Sequence, residues 1–191
     1  MAGKRAAVYS GSFNPLHIGH KAIMEYLTRE QAFDLVYLVV SPQSPFKGAE
    51  NNLTARDRFD AAVAAVARHP ELNVRVDDIE LTMDPPQYTI RTLDALKARD
   101  PEYDFTLVIG ADNLAGFNRW RDYRRILVEY GVVVFPRTGY DAEAIRDSLI
   151  NEEGGDKYRI RIMSDAPLVD ISSTEIRNGL RGGRDMSEVL M

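Results

Sequence analysis

Residues 104–110, DFTLVIG, form a short and largely apolar run that ends in glycine. Two similar runs, DLVYLVVS at 34–41 and GVVVFPR at 131–137, are separated from it by amphipathic stretches. Strands that are apolar on both faces are typical of parallel sheets with helices packed on each side. The pattern predicts an α/β fold built on a doubly wound parallel sheet with helices on both faces. The chain shows no internal repeat and no linker composition, so we expect one domain over residues 1–191.

The spacing of apolar residues in the rest of the chain predicts further strands and helices. Alternating or continuous apolar residues predict strands at AAVYS (6–10), NVRVDD (73–78), IELTM (79–83) and KYRIRIM (157–163). Apolar residues three and four positions apart predict helices at 17–32, 54–68, 88–100, 141–150 and 172–180. The densest basic stretch, RWRDYRR at 119–125, is predicted to form one solvated helix face.

The composition excludes several classes of protein. The chain has 191 residues, no cysteine and a net charge of −5, which excludes disulfides and thiolate metal sites. Its longest apolar run, LVYLVV at 35–40, is far shorter than the roughly 20 residues that cross a membrane. Basic residues are scattered, which disfavours nucleic-acid binding. We therefore expect a cytoplasmic protein that binds neither membranes nor nucleic acid. The sequence leaves open whether it forms a homo-oligomer.

The stretch GSFNPLHIGH at 11–20 follows the first predicted strand and has the features of a phosphate site. Gly11 permits a sharp turn, and Pro15 suits the entry to a helix. His17 and His20 are three residues apart, so we expect them on one face of the first helical turn, with Gly19 leaving room beside them. Free N–H groups and the helix dipole favour an anion at this end.

Two other interpretations of the histidines are weaker. A pair of core histidines is disfavoured because the first turn of a helix at the edge of a sheet is a poor burial site. A metal site would need carboxylates to complete its ligands, because cysteine is absent and His69 is the only other histidine. We therefore predict no metal ligands in the protein. The glycine fingerprint of dinucleotide folds and the lysine-containing phosphate loop are both absent as well.

In a doubly wound, Rossmann-like sheet, ligands bind at the carboxyl ends of the strands. This places five segments at one edge of the predicted sheet, so that their side chains converge. The segments are 11–20, 41–47, 110–120, 135–137 and 171–177.

Five stretches resemble a known family, and along the chain they occur in the order the family has them. GSFNPLHIGH is similar to the His-x-Gly-His signature of the nucleotidyltransferase superfamily, and ISSTEIR at 171–177 resembles the second signature of nicotinate-nucleotide and nicotinamide-nucleotide adenylyltransferases. SPQSPFK at 41–47 is similar to the Pro-x-x-Pro-x-Lys segment of the bacterial enzymes, although Phe46 stands where histidine is frequent. QYTIRTL at 87–93 and IGADNLAGFNRW at 109–120 resemble their pyridine-nucleotide pocket.

The resemblance implies that ATP and nicotinate mononucleotide react to give nicotinate adenine dinucleotide and pyrophosphate. The attacking phosphate monoester has a second pKa of about 6, so it is ionised at neutral pH and needs no general base. Positioning and fixed positive donors should then dominate catalysis. Mg²⁺ would arrive with ATP, held by phosphates and water.

The resemblance also implies the residues that contact the phosphates. The catalytic group comprises His17, His20, Lys47 and Arg177. The ATP-binding group comprises Gly11, Ser12, Phe13 and Gly19 on the first loop, and Ser172, Ser173 and Thr174 at the start of the last helix. The N–H and hydroxyl groups of the last three suit phosphate oxygens. The alternative for that stretch is a plain helix cap with surface charges.

The implied pyridine-nucleotide pocket comprises Tyr88, Thr89, Gly110, Asp112, Trp120 and Arg137. Trp120 would stack on the pyridine ring, and its alternative is ordinary packing. Asp112 would accept hydrogen bonds from ribose hydroxyls, whereas Arg137 would meet a phosphate or form a surface ion pair. Exposed N–H groups at Tyr88 and Thr89 would favour the carboxylate of nicotinate over the amide of nicotinamide.

Two alternatives to this function stay open. The enzyme could use nicotinamide mononucleotide, or both substrates. The protein could also be a catalytically silent nucleotide-binding sensor on the same scaffold, although His17, His20, Lys47 and Arg177 are all present.

Overall fold

The computed structural model describes residues 3–42, 53–168 and 171–191. Six strands of this described chain form one sheet in which every neighbouring pair is parallel, with the spatial order β3-β2-β1-β4-β5-β6. The strands are β1 (Lys4–Gly11), β2 (Leu35–Val40), β3 (Val74–Asp77), β4 (Tyr103–Gly110), β5 (Val132–Phe135) and β6 (Ile160–Ile162). The predicted doubly wound parallel sheet is confirmed.

Helices connect the strands. They are α1 (Ile18–Arg29), α2 (Ala55–Ala67), α3 (Ile79–Thr82), α4 (Thr89–Arg99), α5 (Ala111–Leu114), α6 (Tyr123–Arg125), α7 (Ala142–Ile150) and α8 (Ser173–Arg181). A π-helix, Ile126–Tyr130, follows α6. The short 3₁₀ turns are Phe117–Arg119, Gly155–Lys157 and Ser187–Val189. Within the described residues, no helix combines the length and the apolar character that a membrane span requires.

Each face of the sheet carries its own apolar core, because successive side chains of a strand point to opposite faces. Ala6 belongs to the core that α4, α5, the π-helix and α7 cover, in which Leu93 and Phe117 are fully buried. The next residue, Ala7, belongs to the core that α1 and α2 cover, with Met24 fully buried. Helices therefore lie on both faces, as the continuous apolar strands predicted.

The direction of the strand order reverses between β1 and β4. β1 pairs with β2 on one side, where Gly11 lies opposite Val40, and with β4 on the other, where Tyr9 lies opposite Val108. Such a switch point opens a crevice at the carboxyl ends of the two strands. The loops that follow Gly11 and Gly110 consequently flank it.

Two local predictions are wrong. The stretch IELTM contains no strand: Ile79–Thr82 is α3, which begins directly after β3 with the Ile79 N–H donating to Asp77 Oδ1 at 3.0 Å. In a stretch this short, the apolar residues fit both the strand period and the helix period. The hydrogen bond to Asp77 stabilises the helix start. The stretch RWRDYRR is not one helix either, because Asp122 takes a left-handed φ of 54° between the 3₁₀ turn and α6.

Candidate active site

The loop between β1 and α1 reverses at Phe13, whose φ of 45° lies in the left-handed region. For a bulky residue this conformation is unfavourable by about 1–3 kcal/mol and persists only when the surroundings fix it. The Phe13 ring is buried and makes edge-to-face contacts with Tyr9 and His20, at centroid distances of 5.4 and 5.2 Å. Aromatic packing thus holds the backbone that was predicted to meet phosphate.

His17 and His20 form hydrogen bonds with backbone N–H groups at the start of α1. His17 precedes the helix as its N-cap, and its Nδ1 accepts from the Gly19 N–H at 3.2 Å. Nδ1 of His20 accepts from the His17 N–H at 3.2 Å, and the ring centroids lie 3.8 Å apart. A neutral imidazole that accepts at Nδ1 carries its proton on Nε2. Both rings therefore have Nε2–H as their donor. Of the backbone N–H groups at this helix start, that of Gly19 is used by the cap.

His17 is only 5% exposed, so the expectation that this position is a poor burial site is wrong. Residues from the end of the described chain contribute to this burial: Leu190 pairs with His17 in an antiparallel bridge, and the Met191 N–H donates to Leu16 O at 3.4 Å. Burial, with a smaller effect from the charge of Arg137, lowers the pKa of His17 to about 4. At neutral pH, His17 is thus a neutral hydrogen-bond donor.

The start of α8 lies against the loop before α1. Arg177 Nη1 donates to Asn14 O at 2.8 Å, and Ser173 Oγ donates to Pro15 O at 3.2 Å. These are long-range contacts between the two predicted signatures. The structure therefore brings Arg177 and the start of α8 to the loop that leads into His17 and His20.

The hydroxyl groups at the start of α8 already have partners within the protein. Ser172 and Glu175 form a capping box, in which Ser172 N and Oγ each donate to Glu175 Oε2 at 2.8 Å. These bonds hold the pKa of Glu175 below its usual range. Thr174 Oγ1 accepts from Arg177 Nη2 at 3.0 Å. Among the hydrogen bonds of the described residues, none uses the N–H groups of Ser173 and Thr174, which leaves these two as the donors.

Across the switch point, Gly110 ends β4 against two charged side chains. A Cβ at Gly110 would collide with Asp112 Oδ1 and come within 3.1 Å of Arg137 Nε. Arg137 Nε lies 3.6 Å from Asp112 Oδ1, so the alternative of an ion pair holds for Arg137. The Arg137 guanidinium also lies over the Phe135 ring at 4.9 Å from its centroid, and its charge contributes to the lowered pKa of His17.

The other predicted residues of this pocket are placed less favourably. Trp120 is half-buried and packs on Phe117, with ring centroids 4.7 Å apart, so its packing role is real. Tyr88 is exposed. Its N–H was expected to be free, but it donates to Pro86 O at 3.0 Å, so that expectation is wrong. The N–H of Thr89 is then the donor at the start of α4. Lys47 falls outside the described residues.

Comparison with known proteins decides the family. Residues 8–179 match the family model described as cytidylyltransferase-like. Over 91% of its length, the chain is 37% identical to a probable nicotinate-nucleotide adenylyltransferase of Cytophaga hutchinsonii, and it covers 84% of that protein. Over 97% of its length it is 36% identical to one of Bacteroides fragilis, covering 87% of it. The chain belongs to the cytidylyltransferase-like family and, within it, to the nicotinate-nucleotide adenylyltransferases. The resemblance found in the sequence is confirmed.

Solved structures agree with this family assignment in their fold. The Plasmodium falciparum nicotinic acid mononucleotide adenylyltransferase complexed with NaAD superimposes with a TM-score of 0.74 at 18% identity, covering 97% of this chain and 88% of that one. A putative nicotinate-nucleotide adenylyltransferase from Vibrio parahaemolyticus gives a TM-score of 0.64 at 25% identity, covering 98% and 87%.

Two buried charged residues at the site were missed by the sequence analysis of this adenylyltransferase. Arg58 of α2 is 6% exposed, and Glu80 of α3 is 5% exposed. Glu80 accepts from Thr92 Oγ1 at 2.9 Å and from Ser10 Oγ at 3.4 Å, and its burial raises its pKa. The sequence did contain a signal for the burial of Arg58, because its helical spacing from Ala62 places both residues on the buried face of α2. Glu80 gave no such signal, because its segment was assigned to a strand.

The described parts of this chain, residues 3–42, 53–168 and 171–191, contain no group of three or more histidine, cysteine or acidic side chains that could hold a metal ion. The described residues therefore offer a divalent cation few ligands of their own, and substrate and water would supply the others.

Proposed function

We propose that the protein transfers the adenylyl group of ATP to nicotinate mononucleotide, giving nicotinate adenine dinucleotide and pyrophosphate in NAD biosynthesis. One observation carries the proposal: Arg177 and Ser173 of α8 donate to the backbone of Asn14 and Pro15, immediately before the His17 cap of α1. Two helix starts, each an anion-binding element, therefore share one position at the switch point of the sheet. The curated relatives bear the same name for their activity.

The phosphate half of the site would act by positioning and by charge. The nicotinate mononucleotide phosphate attacks the α-phosphorus of ATP, the bond from that phosphorus to the bridging oxygen breaks, and pyrophosphate leaves with the electron pair. Charge then grows on the leaving oxygens. The Nε2–H groups of His17 and His20, the N–H groups of Ser173 and Thr174, and the permanent charge of Arg177 are suited to stabilise it. The attacking group is already ionised, so a neutral His17 is compatible with the reaction.

We propose Mg²⁺ as the cation that accompanies ATP. When bound, it would neutralise part of the triphosphate charge and help to orient the phosphates. Since the described residues contain no ligand cluster of their own, the ion would be held by phosphate oxygens and water.

The acceptor half of the site would lie on the β4 side of the crevice. The half-buried Trp120 would stack on the pyridine ring, and the exposed Asp112 would accept hydrogen bonds from ribose hydroxyls. Arg137, which pairs with Asp112, would meet the phosphate that joins the two substrates. The Thr89 N–H at the start of α4 favours a carboxylate, because an amide –NH₂ would present a donor to a donor.

The test measures pyrophosphate release with ATP and each acceptor separately, and identifies the dinucleotide by mass. We expect release that requires both substrates and is at least about tenfold faster with nicotinate than with nicotinamide mononucleotide, which corresponds to about 1.4 kcal/mol. Equal rates would remove the preference while leaving the reaction. Binding of ATP without turnover of either acceptor would instead identify a nucleotide sensor.

The variant His20→Ala separates chemistry from folding. We expect a large loss of kcat with a thermal midpoint that falls only slightly. His20 is half-buried, and its contribution to the helix start is the hydrogen bond that its ring accepts from the His17 N–H. Unfolding of this variant would assign the histidines a structural role instead.

A further inference from the structure

Arg58 has no assigned part in the reaction, yet it holds the backbone of two loops at the edge of the site. Its Nη1 donates to Ser12 O at 2.6 Å and to Ser41 O at 2.9 Å, and its Nη2 donates to Pro42 O at 2.6 Å. The side chain reaches these carbonyls from α2, and it is buried at 6% exposure. A single guanidinium therefore connects the ends of β1 and β2.

The bond to Ser12 O fixes the direction of a peptide group. The peptide between Ser12 and Phe13 is planar and trans, so its C=O and N–H point in opposite directions. With the carbonyl held by Arg58, the Phe13 N–H must point away from α2. Within the described part of the chain, this N–H donates no hydrogen bond. Phe13 also has the left-handed φ of 45°, a conformation that needs outside support.

Among the described residues, no carboxylate neutralises the charge of Arg58. Its three hydrogen bonds go to neutral carbonyl groups, and none of the described carboxylates lies within 4.0 Å of it in an ion pair. A guanidinium keeps its charge when buried, and its fork of donors can serve several carbonyls at once. Arg58 thus adds positive potential beneath the loop that precedes His17 and His20.

We propose that Arg58 is a positioning residue for adenylyl transfer, which orients the Phe13 N–H toward the phosphates of ATP by holding the Ser12 carbonyl. This inference rests on the proposed function, because the phosphates are those of its substrate. Arg58 itself does not touch the substrate. Its effect on the reaction passes through the Ser12–Phe13 peptide and through its positive charge.

The test compares Arg58→Met and Arg58→Lys with a matched control, Arg159→Met. Arg159 also donates to backbone carbonyls, with Nε 3.1 Å from Val128 O, but it lies before β6 at the opposite edge of the sheet. Each protein is assayed for kcat and KM, and amide hydrogen exchange is measured without nucleotide in peptides that cover residues 11–16. The thermal midpoint reports folding.

For Arg58→Met we expect kcat to fall by about 10- to 100-fold, because a misdirected donor loses most of its value in the transition state. Exchange at residues 11–16 should accelerate, and KM for nicotinate mononucleotide should change less than about twofold. Arg58→Lys keeps the charge without the fork and should give an intermediate kcat. Arg159→Met should leave kcat and the exchange of this loop unchanged.

A folded Arg58→Met protein with wild-type kcat and wild-type exchange at residues 11–16 would overturn the inference. Acceleration of exchange throughout the protein would also overturn it, by showing a general structural role. If Arg58→Met does not fold, Arg58→Lys decides: a lower kcat at an unchanged thermal midpoint supports the inference, and wild-type kcat refutes it. A wild-type protein that releases no pyrophosphate would refute the proposed function separately, before any variant is compared.

Discussion

Buried His17 should make the free energy of unfolding depend on pH in a way that one substitution removes. The substitution is His17→Asn. Asparagine is a good N-cap and can accept from the Gly19 N–H, but it does not titrate. The variant therefore keeps the local hydrogen bond and loses the ionisable group and the ring packing. Because the effect of the lost packing does not depend on pH, the pH dependence of the difference reports the ionisable group alone.

The magnitude follows from the pKa of His17, which falls from 6.5 to about 4 on burial. Between these values the unfolded chain holds a proton that the folded protein excludes, so stability is retained above pH 6.5 and lost as pH falls toward 4. The slope in this window is about 1.4 kcal/mol per pH unit. Summed from pH 7 to pH 5, the loss attributable to His17 is about 2 kcal/mol.

The assay is urea unfolding of both proteins at pH 7, 6 and 5 without nucleotide, followed by circular dichroism. Other titrating groups, including Glu80 with its raised pKa, are present in both proteins and cancel in the difference. We expect the stability of the wild type relative to the variant to fall by about 2 kcal/mol from pH 7 to pH 5. A difference constant within about 0.3 kcal/mol would show an ordinary pKa and would refute the lowering of the His17 pKa by burial.

Three further substitutions test other parts of the site and the core. Gly110→Ala should displace the side chains of Asp112 and Arg137. We expect kcat/KM for nicotinate mononucleotide to fall by about fivefold or more while the thermal midpoint moves little. An unchanged kcat/KM would show that neither side chain takes part in the reaction. Trp120→Ala should raise KM for nicotinate mononucleotide by about 2- to 10-fold but not KM for ATP, as stacking is worth about 0.5–1.5 kcal/mol. If neither KM changes, Trp120 only packs on Phe117. Phe117→Ala should destabilise the protein by about 3–5 kcal/mol in urea unfolding, because the ring is fully buried, and a loss below about 1 kcal/mol would contradict that burial.

The fold was predictable because its central strands leave few alternatives. Runs such as DFTLVIG at 104–110 have no polar face to turn to water, so both faces must be covered by helices. IELTM at 79–83 could not be assigned in this way. It is about one helical turn long, and the hydrogen bond from Ile79 to Asp77, rather than the apolar spacing, decides its conformation.

The site was predictable where it depends on neighbouring residues and unpredictable where it depends on distant ones. The spacing of His17 and His20 indicated one cluster, but the extended backbone that makes His17 an N-cap is not visible in spacing. The Ser-x-x-Glu pattern at Ser172 did contain a signal for the capping box that occupies its hydroxyl. The partners of Arg58 lie 16 to 46 residues away in the sequence, so only the folded structure shows them.

The central position of β1 affects how the protein can be made on a ribosome. β1 can pair with β2 once Val40 has left the ribosome, but its other edge waits for β4, which ends at Gly110. About 70 residues separate these points, which takes about 4 to 14 seconds at a translation rate of about 5–20 residues per second. Throughout that interval the nascent chain displays an apolar strand with unsatisfied backbone groups, the kind of edge that recruits chaperones or aggregates. Faster elongation across residues 41–103 would shorten this exposure and raise the yield of folded protein.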